Sequence, residues 1–506
     1  MQVSYNLVTL RKDFSFLFMT LLIVTILILG YILIATENVT SVNKAAVAIF
    51  VAAVGWVLYI CYGADFVAGR YSEAYNEFYA MVSGTPLNEN GMAPLVSSIV
   101  KQFVAQNVFI PWVGKAAEVV LFLLATMTIV EILSNNGCFD FIAQLLRTRN
   151  RDRMLWTLSV VTFVFSANLD NLTTTVMMLI IMHRIIPNRR QRMIYGSAIL
   201  LAANCGGALT VIGNPEGLVL WNMGAVTATN FSMSLLVPCL LAWLFPTWLL
   251  GRMLPERIDT EWITMPYRGD DTRLNVWQRL LMLFVGIGGL WFIPTFHNIT
   301  KLSPFLGALC VLAVLWVVNE IFNRKLINSD EMIYRRAPRL LQYGSIQMML
   351  FVMGMMLALG VVKETGAIDR LAVWIDSECH NVWALGVIAG LISTVLDNFA
   401  TAMSMFSLHT LNEPVLHDVL NGYSEHFVLN GAYWKVIAYC VMAGGNVLTV
   451  GSMGGLALMK MERMHVGWYF RNVGWKALVG GLLGLLILWL SNAGFQVLGS
   501  GQAIAS

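Results

Sequence analysis

The chain has 506 residues, 58% of them hydrophobic and only 12% charged, with a mean hydropathy of +0.69 and a formal net charge of +3. Soluble domains carry roughly 25% charged residues, so the composition excludes an ordinary soluble protein and gives a polytopic membrane protein. The basic residues sit beside hydrophobic runs, where they read as topology signals and not as a nucleic-acid footprint. The 7 cysteines are scattered without a C-x-x-C pair, which argues against a disulfide framework or a metal centre.

Taken in order, apolar runs of bilayer length fall at about 14–35, 44–62, 117–134, 193–222, 231–250, 280–296, 303–322, 344–362, 432–459 and 474–493. Each predicts a helix, because backbone groups in lipid must be satisfied within their own segment. The first run lacks a cleavage site and is expected to be a retained helix. Between 64 and 113 lies the one stretch polar enough to suggest a separate soluble piece. The run 95–113 carries Lys101, Gln102 and Asn107, and whether it crosses or lies at the interface stays open, as does the side of the N-terminus. The runs at 193–222 and 432–459 contain glycine pairs and are expected to be broken.

Two further runs, about 154–183 and 382–409, are long but split by a polar motif. The first reads S-A-N-L-D-N-L-T-T-T (Ser166–Thr175) and the second S-T-V-L-D-N-F-A-T-A-M (Ser393–Met403). A charged side chain inside a membrane is costly and is kept where it faces a cavity, a partner or an ion. Arginines flank the first run on both sides, at 147–153 and 184–192, so it is expected to enter and leave on the cytoplasmic face as a re-entrant hairpin. The flanks of the second, 379–382 and 408–433, carry no Lys or Arg, and 408–433 holds Glu413, Asp418 and Glu425. That hairpin should dip in from outside. The basic loops Arg252–Arg279, Arg324–Arg339 and Lys460–Lys476 agree, with Lys363 and Arg370 as mild exceptions.

The two halves also match residue by residue. Gly137, Asp140 and Ala143 align with Gly366, Asp369 and Ala372, each trio expected on a short interfacial helix leading into a hairpin. Ser166, Leu169, Asp170, Asn171 and Thr174 align with Ser393, Leu396, Asp397, Asn398 and Thr401 at an offset of 227. Gly206, Gly207, Gly213, Gly217 and Leu218 align with Gly444, Gly445, Gly451, Gly455 and Leu456 at an offset of 238. The expected fold is therefore an all-α polytopic membrane protein of two inverted-topology repeats, each with a re-entrant hairpin and a broken transmembrane helix. Its expected divisions are N-terminal helices at 1–113, a first repeat core at 114–256, connecting helices at 257–343 and a second repeat core at 344–506.

Four polar breaks carry the candidate chemistry. The hairpin tips supply Ser166, Asp170, Asn171, Thr173 and Thr174, and Ser393, Asp397, Asn398 and Thr401. The Gly-rich breaks supply Asn204, Thr210, Asn214 and Glu216, and Asn446, Thr449 and Ser452. Carboxylates, amides, hydroxyls and unwound carbonyls are the hard-oxygen donors that suit Na⁺, whereas soft metals want Cys or His. Asp170, Asn171, Asp397 and Asn398 are the expected Na⁺ ligands. Each break also has a bland reading as a helix cap, an interhelical hydrogen bond or glycine packing. Duplication at matched places favours the functional one. Glu118, Glu131 and His183 are weaker candidates.

The runs Ala117–Leu133, Ser166–Met178, Leu201–Ala208 and Ala438–Gly455, the last followed by the Met461-Glu462 region, resemble the NhaD-type sodium/proton antiporters of the ion-transporter superfamily, over about 114–490. The resemblance implies inverted repeats with paired hairpins and exchange of Na⁺ or Li⁺ for H⁺ across the bacterial inner membrane. It also implies a homodimer, and it adds weight to Ser166, Asp170, Asn171, Asn204, Ser393, Asn398, Asn446 and Thr449. Two departures stand out. Where the family reads G-D-x-T-T-T, this chain reads Gly213-Asn214-Pro215-Glu216-Gly217, and Phe399-Ala400 replaces the proline that follows the second D-N. The leading expectation is a cation/proton antiporter with no resident cofactor. The alternative is a Na⁺-coupled carrier of small anions such as dicarboxylates, and an uncoupled channel is not excluded. An intramembrane enzyme has no motif in its favour.

Overall fold

The computed structural model describes residues 2–83, 93–139, 146, 148, 150–256, 274–322, 343–412 and 422–503. Its main helices are α1 Gln2–Ala35, α2 Lys44–Cys61, α3 Gly63–Arg70, α4 Ser72–Ser83, α5 Ser97–Asn135, α6 Arg151–Ser166, α7 Asn171–Ile185, α8 Arg189–Leu209, α9 Pro215–Asn222 and α10 Ala228–Gly251. They continue as α11 Val276–Thr300, α12 Pro304–Phe322, α13 Tyr343–Glu364, α14 Ala367–Glu378, α15 Val382–Ser393, α16 Asn398–Leu408, α17 Ala432–Gly445, α18 Met453–Glu462 and α19 Trp475–Ala503. Among the described residues, eight helices are long and apolar enough to cross a membrane. The all-α multi-span expectation is met.

Both split runs are helix–turn–helix units. Hairpin 1 turns at 167–170 between α6 and α7, and hairpin 2 turns at 394–397 between α15 and α16. Both broken helices are also present: 210–214 separates α8 from α9, and 446–452 separates α17 from α18. Local chemistry explains the restarts. Asp170 is the N-cap of α7, Ser452 caps α18 by accepting from Gly455 N, and Pro215 opens α9 where no backbone N–H is needed. Gly137 and Gly366, aligned in sequence, both adopt positive φ (67° and 76°) at the ends of α5 and α13. The partner positions Asp140 and Ala143 lie outside the described residues. So do the loops 257–273 and 323–342, Arg147, Arg149, Glu413 and Asp418.

The run 95–113 is continuous with the helix that follows it, because α5 runs unbroken from Ser97 to Asn135. At about 1.5 Å per residue, its 39 residues are longer than a bilayer core is thick. A π segment at Val104–Phe109 precedes Pro111, and the extra residue per turn absorbs the hydrogen bond that proline cannot make.

The chain divides into two compact units. Unit 1 comprises 1–120, 347–378 and 407–409. The stretch expected to be a soluble piece packs into it, through Tyr75 and Tyr79 of α4 against each other and Tyr75 against Phe103. In this unit the buried carboxylate of Glu364 accepts from Tyr71 Oη at 2.7 Å and Trp112 Nε1 at 2.8 Å. Unit 2 comprises 121–346, 379–406 and 410–506 and holds both hairpins and both broken helices.

Within unit 2 each hairpin crosses its broken helix in the same way. Ser166 Oγ donates to Ala203 O at 2.6 Å, and Ser393 Oγ donates to Val441 O at 2.9 Å. Gly206 abuts the backbone of Phe163, and Gly444 abuts that of Gly390. Gly213 and Gly451 abut the carbonyls of Ser166 and Ser393, and Gly217 and Gly455 abut residues 211 and 449. All of these pairs are related by the two offsets read from sequence. Glycine is required at such crossings because two backbones approach within a side chain's width.

Candidate functional site

At the tip of hairpin 1, Asp170 is 3% exposed and binds its own helix start. Its Oδ2 accepts from Thr173 N at 3.0 Å and Thr173 Oγ1 at 3.2 Å. Its Oδ1, and Thr174 Oγ1 one turn along, are buried without a hydrogen-bond partner among the described residues. Buried polar atoms in native proteins are nearly always paired, so two oxygens left open at one helix start are where a hard cation fits.

An amide network runs from this tip to the other half of the unit. Asn171 Nδ2 donates to Asn204 Oδ1 at 3.4 Å, and Asn171 N donates to Gly213 O at 3.2 Å, inside the first break. Asn204 Nδ2 donates to Asn446 Oδ1 at 2.8 Å and Ser452 Oγ at 3.4 Å. Tyr469 Oη closes the far side by donating to Asn446 O at 3.1 Å. Five of the candidates, Ser166, Asn171, Asn204, Asn446 and Ser452, are thus held on the two broken helices and the hairpin that crosses the first.

Thr210, Asn214 and Glu216 form a separate group around a cavity with room for about one water. Thr210 Oγ1 donates to Ala167 O at 2.5 Å and accepts from Gly213 N at 3.1 Å, which fixes the shape of the break. Asn214 Oδ1 is buried without a partner among the described residues.

In hairpin 2, Asp397 Oδ1 accepts from Phe399 N at 3.0 Å, and Ser393 Oγ lies 2.8 Å from Asn398 Oδ1. Thr401 Oγ1 is spent on its own helix, on Asp397 O. Thr449 does not join the amide network; its hydroxyl contacts Met459 Sδ at 2.7 Å.

His183 is placed at a second buried carboxylate. Its Nδ1 lies 2.9 Å from Glu462 Oε1, and Arg192 Nε reaches both oxygens of Glu462, at 3.0 and 2.9 Å. Arg189 adds bonds to the carbonyls of Glu462 and Arg463. This latch ties α7 and α8 of the first half to the end of α18 of the second. Sequence reading isolated neither Glu462 nor Lys435, a buried lysine on α17 held by Asn230 Oδ1 and Ser234 Oγ. For Lys435 the signal was a lone charge in an otherwise apolar helix, whereas Glu462 ends its helix two residues after Lys460.

Hairpins seated in discontinuous helices, with capped and open polar groups at the crossing, define a membrane transporter. The match to known proteins specifies it further: the chain belongs to the family described as Citrate transporter (CitMHS), whose model covers residues 31–415. A protein named Sodium/proton antiporter 2 of Arabidopsis thaliana is 28% identical over 74% of this chain and 85% of its own length. The Na(+)/H(+) antiporter NhaD of Vibrio cholerae is 26% identical over 68% of this chain and 71% of its own. Among solved structures, the Alcanivorax borkumensis YdaH transporter has a TM-score of 0.49 at 13% identity, covering 77% of this chain and 89% of that one. The resemblance to NhaD-type antiporters is borne out, and the chain is a transporter and not an enzyme.

Proposed function

We propose that the protein is a secondary transporter that exchanges Na⁺, and by the same chemistry Li⁺, for H⁺ across a bacterial inner membrane by alternating access. The observation that carries this reading is Asp170, buried at a helix start with Thr173 on one carboxylate oxygen and no described partner on the other. A carboxylate in such a place holds either a proton or a cation, because an uncompensated charge there is costly. Entry of Na⁺ onto Asp170 and the Thr174 hydroxyl displaces the proton, which is exchange at a single site. The names of the relatives support the same pair of ions. In this reading hairpin 1 opens to the cytoplasm and hairpin 2 to the outside, as the arginine distribution indicates. The amide network through Asn204 and Asn446 then tells one half what the other has bound.

Proteoliposomes loaded with a pH-sensitive dye test the reading. Added Na⁺ dissipates an imposed ΔpH, and Asp170→Asn loses that response while remaining folded. No dissipation by the parent chain refutes exchange. A Na⁺-coupled carrier of small carboxylates is the second reading, favoured by the family description and by the proline-bounded helix start at Pro215. Sodium-dependent uptake of labelled succinate, without dissipation of ΔpH, would select it.

A further inference from the structure

Lys435 is a buried charge that exchange at Asp170 does not use. It sits one turn into α17 and is 8% exposed, with its Nζ 3.2 Å from Asn230 Oδ1 and 3.5 Å from Ser234 Oγ, both on α10. Both partners are neutral. Ammonium groups inside membranes are normally paired with a carboxylate or reach the interface. Asn230 is exposed, so Lys435 touches the outer end of the seam through it.

The same seam holds the one-water cavity. Its walls include Thr210, Asn214 and Glu216 from the first broken helix, Phe231 from α10, and Ala438 and Met442 from α17. Lys435, Ala438 and Met442 are spaced i, i+3 and i+7, so they share one face of α17. Asn230 and Phe231 are neighbours on α10. The lysine therefore lies about one helical turn, roughly 4.5 Å along the axis, from the cavity that Glu216 lines. Other charges around the seam are sparse: α10 carries none from Ala228 to Gly251, and the 3-10 turn Ser424–Phe427 that packs on α17 brings Glu425 and His426.

We propose that this seam is a second proton-carrying site, in which a cation beside Glu216 and the proton on Lys435 exclude one another. The inference rests on the exchange reading above and adds a second group to it. When Na⁺ enters beside Glu216, two positive charges lie about one helical turn apart in a dry place, and the lysine is the one that can shed its charge. The step balances: Na⁺ enters, the Lys435 ammonium becomes the neutral amine, and one proton leaves toward the outer end past Asn230. Asp170 carries the other proton, on the far side of the break that Asn171 contacts, and full exchange needs both groups.

Proton release on adding Na⁺ to the purified full-length protein in weak buffer tests this, with size-exclusion profiles confirming fold. In Lys435→Arg the guanidinium keeps the charge but cannot release it, so release falls by about half relative to the parent. Glu216→Gln and Lys435→Gln give a similar loss. If Lys435 is only an interfacial anchor, Lys435→Arg releases as much as the parent, and the proposal is overturned while exchange at Asp170 stands. If the parent itself releases no protons on Na⁺ addition, the exchange reading falls and this one with it.

Discussion

Replacing Gly206 by alanine tests whether hairpin 1 is positioned by a backbone crossing. A Cβ at Gly206 would meet the Cα and carbonyl carbon of Phe163 at 3.0 Å, with the carbonyl oxygen nearer still. At Gly444 the equivalent Cβ would meet the carbonyl carbon of Gly390 at 2.8 Å and its Cα at 3.1 Å. Ordinary contact begins at 3.4 Å. Neither neighbour is a side chain that can rotate away, so the hairpin has to retreat by several tenths of an ångström. Overpacking of this kind costs about 1–3 kcal/mol. The retreat also moves the tip, where Asp170 follows Phe163 by seven residues across the turn, and displacements of about 1 Å at a reacting group cost about 100-fold in rate. Gly206→Ala should therefore lower the thermal midpoint in detergent and slow Na⁺-driven ΔpH dissipation about 10- to 100-fold, and Gly444→Ala should behave alike. Gly69→Ala, on α3 with nothing within 4 Å of the new methyl, is the control and should be neutral or stabilising by up to about 1 kcal/mol. A Gly206→Ala protein with the parent's midpoint and rate would show that the crossing does not hold the tip.

Three further outcomes are expected. Asp397→Asn should retain slow exchange in proteoliposomes where Asp170→Asn retains none, and equal loss in both would refute an asymmetric site. Glu462→Gln leaves Arg192 beside a neutral amide in place of a fully buried carboxylate, so thermal unfolding should show a loss of about 3 kcal/mol, the usual result of breaking a buried pair; an unchanged midpoint would mean that the latch carries no load. Burial lowers the His426 imidazole below its ordinary range, with Glu425 opposing in part. A histidine lowered in the folded state contributes stability above its unfolded value, and that contribution is lost as pH falls through the folded one. The midpoint should therefore drop as pH falls below about 6.5, and His426→Gln should flatten that slope in a pH series of melting curves.

The hairpins and broken helices were legible because each depends on local chemistry. A D-N pair between apolar runs suits a helix start, and paired glycines beside a polar run suit a break or a close crossing. Offsets of 227 and 238 then reappeared as matched contacts, Ser166 on Ala203 and Ser393 on Val441. What was not legible depends on partners far apart in the chain. The continuity of α5 through Lys101 and Asn107 is decided by a π segment that no composition signals. Glu462 pairs with Arg192 across 270 residues, and nothing beside either one in sequence names the other. Lys435 finds its partners Asn230 and Ser234 on α10, 205 and 201 residues away in the chain.

The backbone is duplicated, but the donor groups are not. At the offset of 238, Asn204 stands opposite Met442, Ala208 opposite Asn446, and Glu216 opposite Gly454. At the offset of 227, Thr173 stands opposite Ala400, so the second tip has no hydroxyl where Asp170 has one. Each half thus supplies an amide where the other is apolar, and the two amides meet in the bond from Asn204 Nδ2 to Asn446 Oδ1. Two copies of one crossing with identical polar sets would make two equal sites with no reason to respond to each other. Complementary sets make one shared network, so a cation that reorients Asn171 at the first tip alters the hydrogen bonds of the second break through Asn204. That asymmetry is why Asp170, and not Asp397, is expected to be the carboxylate whose loss ends exchange.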